Sequence, residues 1–218
     1  MEFTVEVATV DHLSYAEQVC TMIEDAAKAR GTGIAKREPA YIRQKIEQGK
    51  AIIALEGKNL AGFCYIETWG HDRYVANSGL IVNSTYRKSG LAKRIKRRAF
   101  ELSREKYPQA KIFGITTSLA VMKINSDLGY KPVTFSELTD DESFWKGCSS
   151  CPNYDVLTRT ERKICLCTGM LYEPEAPAKK TPTAKDNRWK NFKDFLQMRK
   201  TRALYKQFVH KYFKKQEV

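Results

Sequence analysis

The stretch Ser78-Gly-Leu-Ile-Val-Asn-Ser-Thr-Tyr-Arg-Lys-Ser-Gly-Leu-Ala92 constrains this chain most. An apolar strand ends in a polar turn, and a long basic helix follows directly. Within the turn, Arg87-x-x-Gly90-x-Ala92 puts a glycine where the backbone has to turn tightly. The first amides of the following helix, near Gly90, Leu91 and Ala92, have no acceptor within that helix. They point outward together, and the helix dipole adds partial positive charge. Such a turn is a socket for a phosphate or diphosphate.

The flanking sequence places this turn inside an α/β chain. Phe3 to Val10 alternates apolar and polar residues as a strand does. Asp11 is the expected N-cap of a helix running to about Arg30, with Leu13, Ala16, Val19, Cys20, Ile23 and Ala27 on one face. Pro39 opens a second, short helix that ends near Gly49. Ala51–Leu55 and Leu60–Trp69 read as strands joined by a turn at Glu56-Gly57-Lys58-Asn59. The strand ending at Val82 and a helix over Leu91–Tyr107 come next, then a strand over Lys111–Thr117 and a helix over Ser118–Leu128. The order is β-α-α-β-β-β-α-β-α, followed by an expected β-rich stretch to about residue 172. A mixed sheet with helices on both faces follows from that order.

Leu80-x-Val82 followed by Arg87-x-x-Gly90-x-Ala92 resembles the acyl-CoA-binding motif of the GNAT acyltransferases. The strand and helix ending in Gly129-Tyr130 resemble the Gly-Phe ending of the same family. The resemblance covers roughly residues 3–172. It implies an α/β GNAT fold: a mixed, mostly antiparallel sheet with one splayed parallel strand pair. It also implies acetyl-CoA, or succinyl-CoA, as co-substrate. On that basis the backbone of Ile81 and Val82 would hold the pantetheine arm and polarise the thioester carbonyl. Arg87, Lys88, Ser89, Gly90, Leu91 and Ala92 would surround the diphosphate.

Acyl transfer to an amine needs a neutral amine, a polarised carbonyl and a proton for the leaving thiolate. An amine enters mostly protonated at neutral pH, so a base or water relay must act on it. Glu67, on the strand beside the expected cofactor strand, is the first candidate base, and His71 is the second. Many family members place a tyrosine four residues before the closing glycine, where its hydroxyl protonates the thiolate. Here that position is Asn125, and an amide cannot deliver a proton at ordinary pH. The acceptor is expected under the loop Thr32–Arg37. There Arg37, with Lys36 or Arg43, would clamp a carboxylate, and Thr116 and Thr117 would bind a further polar group. These residues suit an amino acid. A plain surface loop is the competing reading.

Cys148-Ser-Ser-Cys151 is followed by Cys165-Leu-Cys167. If Cys165 and Cys167 lie in a strand they share a face, and the four thiolates would surround a structural zinc tetrahedrally. Buried core thiols are the alternative. Phe144-Trp-Lys-Gly-Cys148 through Cys165-Leu-Cys-Thr-Gly-Met170 resembles a bacterial GNAT subgroup associated with N-acylation of glutamate. Two rival functions stay open: acylation of a protein amine, and a silent CoA-binding regulatory or nucleic-acid module.

The formal net charge of +13 is unevenly spread. Residues 179–218 hold 13 Lys/Arg and 3 Asp/Glu, a net of +10, which leaves +3 for the remainder. Glu173 to Pro182 reads as a linker within 173–188, and 189–218 as a basic amphipathic helix rich in aromatic residues. That helix is expected to pack on its own chain or on a twin subunit in a homodimer. Binding to nucleic acid or a membrane surface is the less favoured reading. No apolar run reaches the roughly 18 residues of a membrane span, and no secretory leader is evident. The expected location is therefore cytoplasmic.

Overall fold

A computed structural model describes residues 2–31 and 35–174. By backbone contacts the chain divides into two units, Met1–Pro174 and Glu175–Val218, and the first unit contains the described residues. The expected linker and C-terminal helix therefore lie outside them, apart from Glu173 and Pro174. The elements in order are β1 (Thr4–Val7), α1 (Ala16–Arg30), α2 (Pro39–Glu47), β2 (Ala51–Glu56), β3 (Asn59–Trp69), β4 (Tyr74–Val82) and α3 (Leu91–Lys106). They continue with β5 (Lys111–Thr116), α4 (Leu119–Asp127), β6 (Lys131–Val133), α5 (Glu142–Lys146), α6 (Tyr154–Arg159) and β7 (Thr168–Tyr172).

The seven strands form one sheet in the order β1-β2-β3-β4-β5-β7-β6. Every pairing is antiparallel except β4 with β5. One face carries a core that includes Cys64, Ile95, Ala99, Leu102, Ile112 and Tyr130, contributed in part by α3. The other is covered by α1 and α2 through Val19, Ile23, Ile42 and Ile46, against Phe63 and Tyr65 of β3. The apolar stripe Leu91, Ile95, Ala99, Leu102 brings α3 so close to β3 that a Cβ on Gly62 would lie 2.6 Å from Ile95 Cδ1. Gly62 is thus required where helix and sheet meet.

Two local readings are corrected. A 3-10 turn, Val10–Tyr15, precedes α1, and Asp11 lies within it; the turn starts at Thr9, whose N–H donates to His12 Nδ1 at 3.0 Å. Residues 134–167 are also not β-rich. They form a 3-10 turn and the short helices α5 and α6, anchored by Trp145 and Leu157 in a third core cluster. Asp141 explains the first of these helices: its carboxylate accepts from the Ser143 amide at 2.9 Å and caps α5.

Candidate active site

The site originates in an irregularity of β4. Phe63 pairs with Ile81 and Tyr65 with Ser78, so Gly79 and Leu80 face the single residue Cys64. This is a β-bulge, with Gly79 in the left-handed region at φ +66°. A Cβ there would lie 2.4 Å from the Tyr65 ring, so glycine is required by conformation and by space. On its other edge β4 pairs with β5 only over Tyr74–Ala76 and Lys111–Phe113. Beyond Ala76 and Phe113 the two strands diverge, β5 staying paired with β7 through Thr116. The sheet therefore opens into a V whose apex is flanked by Asn77 and Gly114.

A cavity of about 540 Å³ occupies the V, with Asn77, Gly79, Ile81, Gly114 and Thr116 in its wall. It also reaches Lys36, Arg37, Tyr41 and Glu67 on the α2 side. There the groups form one network. Lys45 Nζ lies 2.7 Å from Glu67 Oε1, both side chains nearly buried, and 4.7 Å from the centroid of the Tyr41 ring. Arg37 Nε donates to the Tyr65 hydroxyl at 2.6 Å, and its guanidinium lies 5.9 Å from the ring centroids of both Tyr41 and Tyr65. Burial, then the charge of neighbouring Tyr65 and Glu67, pushes the Tyr41 phenol far up. Burial likewise raises Tyr65, outweighing the opposing Arg37 charge. Both phenols therefore remain protonated near neutrality, and the acidic side chains in the cavity wall are Glu38 and Glu67. Lys45 holds Oε1 of Glu67 and the Tyr41 hydroxyl also hydrogen-bonds to that carboxylate, which still has lone pairs to accept a further proton.

At the far end of β4, Asn83 Oδ1 accepts from the Thr85 amide at 3.1 Å and Ser89 Oγ donates to Tyr86 O at 2.6 Å, which shapes the turn before α3. Lys88 and Gly90 are both left-handed, at φ +66° and +79°. Gly90 caps α3 without a side-chain partner. A Cβ built on Gly90 meets nothing within 4 Å, so the need for glycine here is conformational and the mouth of the turn is open. Arg87, Lys88 and Ser89 are exposed around it, while Leu91 is buried and Ala92 half-buried. This open, cationic helix start fits a diphosphate.

The cavity brings together Arg37, Lys36, Thr116, Ile81 and Glu67, and leaves other expected residues outside it. His71 is exposed, in a turn where Gly70, His71 and Asp72 all have positive φ, and it does not line the cavity. Arg43 pairs with Glu17 and does not join Arg37. Neither Thr117 nor Val82 lines the wall. Asn125 is buried beneath, its backbone oxygen accepting from Tyr130 N at 3.1 Å and its Oδ1 without a partner. Tyr41, Tyr65 and Lys45 carry no motif in the sequence. Only a polar residue in an otherwise apolar helix face, such as Lys45 beside Ile42 and Ile46, signals them.

All four expected zinc ligands, Cys148, Cys151, Cys165 and Cys167, line the same cavity. Cys165 and Cys167 precede β7 in irregular backbone, not in a strand, so the shared-face argument for them fails. Among the described residues no group of three or more His, Cys, Asp or Glu is placed to hold a metal ion. Burial pushes the Cys148 thiol up to about 11 and the Cys167 thiol up to about 12, with the neighbouring cysteines adding to both.

The site thus combines a sheet splayed beside a bulged strand with an open, cationic helix start at that strand's end. Residues 21–120 match the family model described as Acetyltransferase (GNAT) family. No curated protein matches the sequence. Among solved structures, N-acetylglutamate synthase from Neisseria gonorrhoeae, complexed with coenzyme A and N-acetyl-glutamate, is similar at TM-score 0.58 and 14% identity. That match covers 81% of this chain and 36% of the gonococcal one, so this chain spans well under half of that protein. YncA from Salmonella typhimurium, a putative acetyltransferase with its cofactor acetyl-CoA, gives TM-score 0.56 at 12% identity over 84% of this chain and 99% of its own. The ribosomal-protein-S18-alanine N-acetyltransferase from Escherichia coli gives 0.52 at 8% identity over 83% and 99%. At these identities the likeness establishes the fold. Among the described residues no helix is long and apolar enough to cross a membrane.

Proposed function

We propose that this protein transfers an acyl group, acetyl in the first instance, from acyl-CoA to a primary amine. The observation that carries the reading is the V between β4 and β5, open to a cavity holding Glu67 and Arg37 and joined by β4 to the Gly90 turn. The Gly90 turn and Arg87–Ala92 hold the diphosphate, and the β4 backbone around Ile81 lines the path of the pantetheine arm. Acyl-CoA supplies the activated thioester. Glu67, directly or through one water, takes the proton from the acceptor amine. Backbone N–H groups along the unpaired edge of β4 stabilise the carbonyl oxygen as charge develops on it.

The acceptor subsite is cationic. Arg37 and Lys36 border it beside Glu38, and Glu67 on β3 is already paired with Lys45. This favours an acceptor bearing a carboxylate, such as the α-amine of glutamate or a related amino acid, and would suit succinyl-CoA as well as acetyl-CoA. Zinc at the cysteines would be structural, and is not part of this reaction.

The test is calorimetric titration with acetyl-CoA, followed by a thiol-release screen over amino acids and over peptides with free N-termini. Turnover of acidic amino acids with little on peptides supports the reading. Turnover confined to peptides favours a protein acetyltransferase. Binding of acetyl-CoA with no turnover on any amine favours a sensor.

A further inference from the structure

Lys96 is the one cation of the α3 inner face, and neither the sequence motifs nor the proposed roles account for it. It lies one position past Ile95, and only 2% of its surface is exposed. Among the described residues no acidic side chain pairs with it. Its Nζ lies 5.3 Å from the centroid of the Tyr130 ring. A Cβ built on Gly114 would be 3.9 Å from that Nζ and 3.5 Å from Asn77 O. Asn77 and Gly114 are the first residues beyond the last β4–β5 pair, and both line the cavity. Lys96 Nζ therefore sits under the apex of the V, on the α3 face, opposite the Glu67 network. Lys96 is not itself in the cavity wall, and Gly114, which is, puts no side chain between the ammonium and the cavity.

Other proton donors on that side are spent or unsuitable. The Tyr130 hydroxyl donates to Asn77 Oδ1 at 3.0 Å, and burial pushes its phenol well up. Asn77 Nδ2 donates to Ser103 Oγ, and Ser103 Oγ to Ala99 O. Burial raises the Cys64 thiol, which faces Lys96 from β3, to about 11. Tyr172 of β7 stands behind Tyr130, 6.1 Å away between ring centroids. Asn125 is an amide.

Resting on the acyltransferase reading, we propose that Lys96 Nζ donates the proton that the departing CoA sulfur needs. The acceptor nitrogen lone pair forms the C–N bond, and the C–S bond breaks with its electron pair on sulfur. The Lys96 ammonium then gives one proton to sulfur, leaving a free thiol and a neutral amine. The proton lost by the acceptor nitrogen passes to Glu67 or its water and on to solvent, and Lys96 is reprotonated from solvent after product leaves. Burial lowers Lys96 to about 8, close to an ordinary aliphatic thiol at roughly 8.5, so the transfer is nearly balanced.

The test reads the thiolate ultraviolet absorbance of bound coenzyme A as a function of pH, in the wild type and in Lys96→Met. An adjacent ammonium lowers the pH at which the bound thiol ionises, by about one unit or more relative to free coenzyme A. Lys96→Met returns it to the free value or above. In thiol release from acetyl-CoA, the same substitution lowers kcat by roughly 100-fold and removes the alkaline fall near pH 8. A wild-type bound thiol that titrates like the free one overturns the proposal, and needs no variant. So does an identical titration in both proteins. Failure of the wild type to bind coenzyme A at all overturns the acyltransferase reading as well, which separates the two failures.

Discussion

Lys45 and Glu67 form a nearly buried ion pair at 2.7 Å, and each is costly without the other. Glu67→Gln leaves the Lys45 ammonium unpaired, at a cost of about 3 kcal/mol of stability. It also removes the base, so kcat falls by roughly 100-fold or more. Replacing both, as Lys45→Met with Glu67→Leu, restores most of the stability and none of the activity. Urea unfolding and thiol release measure the two effects separately. Lys96 gives a second residue-level expectation. Burial lowers its folded-state pKa to about 8, from the 10.5 of an ordinary lysine, so the folded state disfavours its charged form. The penalty, on the order of 3 kcal/mol, is complete below pH 8, and stability rises as pH goes from about 8 to 10.5. Lys96→Met should abolish that rise and raise stability at pH 7, read from urea midpoints across pH. Neither network was legible in the chain. Lys96 reads as one more basic residue of a basic helix, because its burial is set by strands that diverge above it. Tyr41 and Tyr65 likewise meet only across 24 residues of sequence, with their rings edge to face at 5.7 Å.

At the scale of elements, β4 and the turn after it carry the site, and they were the most legible part. The anion turn is contiguous, so local chemistry suffices: a glycine at φ +79° opening a helix. The bulge was not legible, because Gly79 is explained only by the Tyr65 ring 2.4 Å from its absent Cβ. Gly79→Ala should cost about 2 kcal/mol or more, from left-handed strain and from displacing Tyr65, and should loosen Arg37 with it. The check is a lower urea midpoint together with a raised KM for the acceptor. Gly90→Val should act differently. Nothing crowds its Cβ, so the strain is conformational and falls on the turn, weakening coenzyme A binding at least tenfold with a smaller loss of stability. The helical 134–167 segment was misread because its helices are single turns, too short for a periodic signal.

At the scale of the whole molecule, every residue assigned to the cavity and the anion turn lies within the described residues 2–31 and 35–174. The surplus charge lies elsewhere: residues 179–218 carry a net of +10, against +3 for the rest. Truncation after Pro174 should therefore leave coenzyme A affinity within about threefold at moderate salt, where charge interactions are screened beyond roughly 10 Å. The order of strands and helices up to α4 was legible from alternation and helical spacing. The splay was legible only through the family resemblance, because strand divergence has no local signal. The most direct measurement is calorimetric titration of the full chain with coenzyme A and, in parallel, with pantetheine, which lacks the diphosphate. The account predicts one coenzyme A per chain, weakened by added salt, with pantetheine binding at least a hundredfold more weakly. Equal affinity for both, or no binding of coenzyme A, would contradict it.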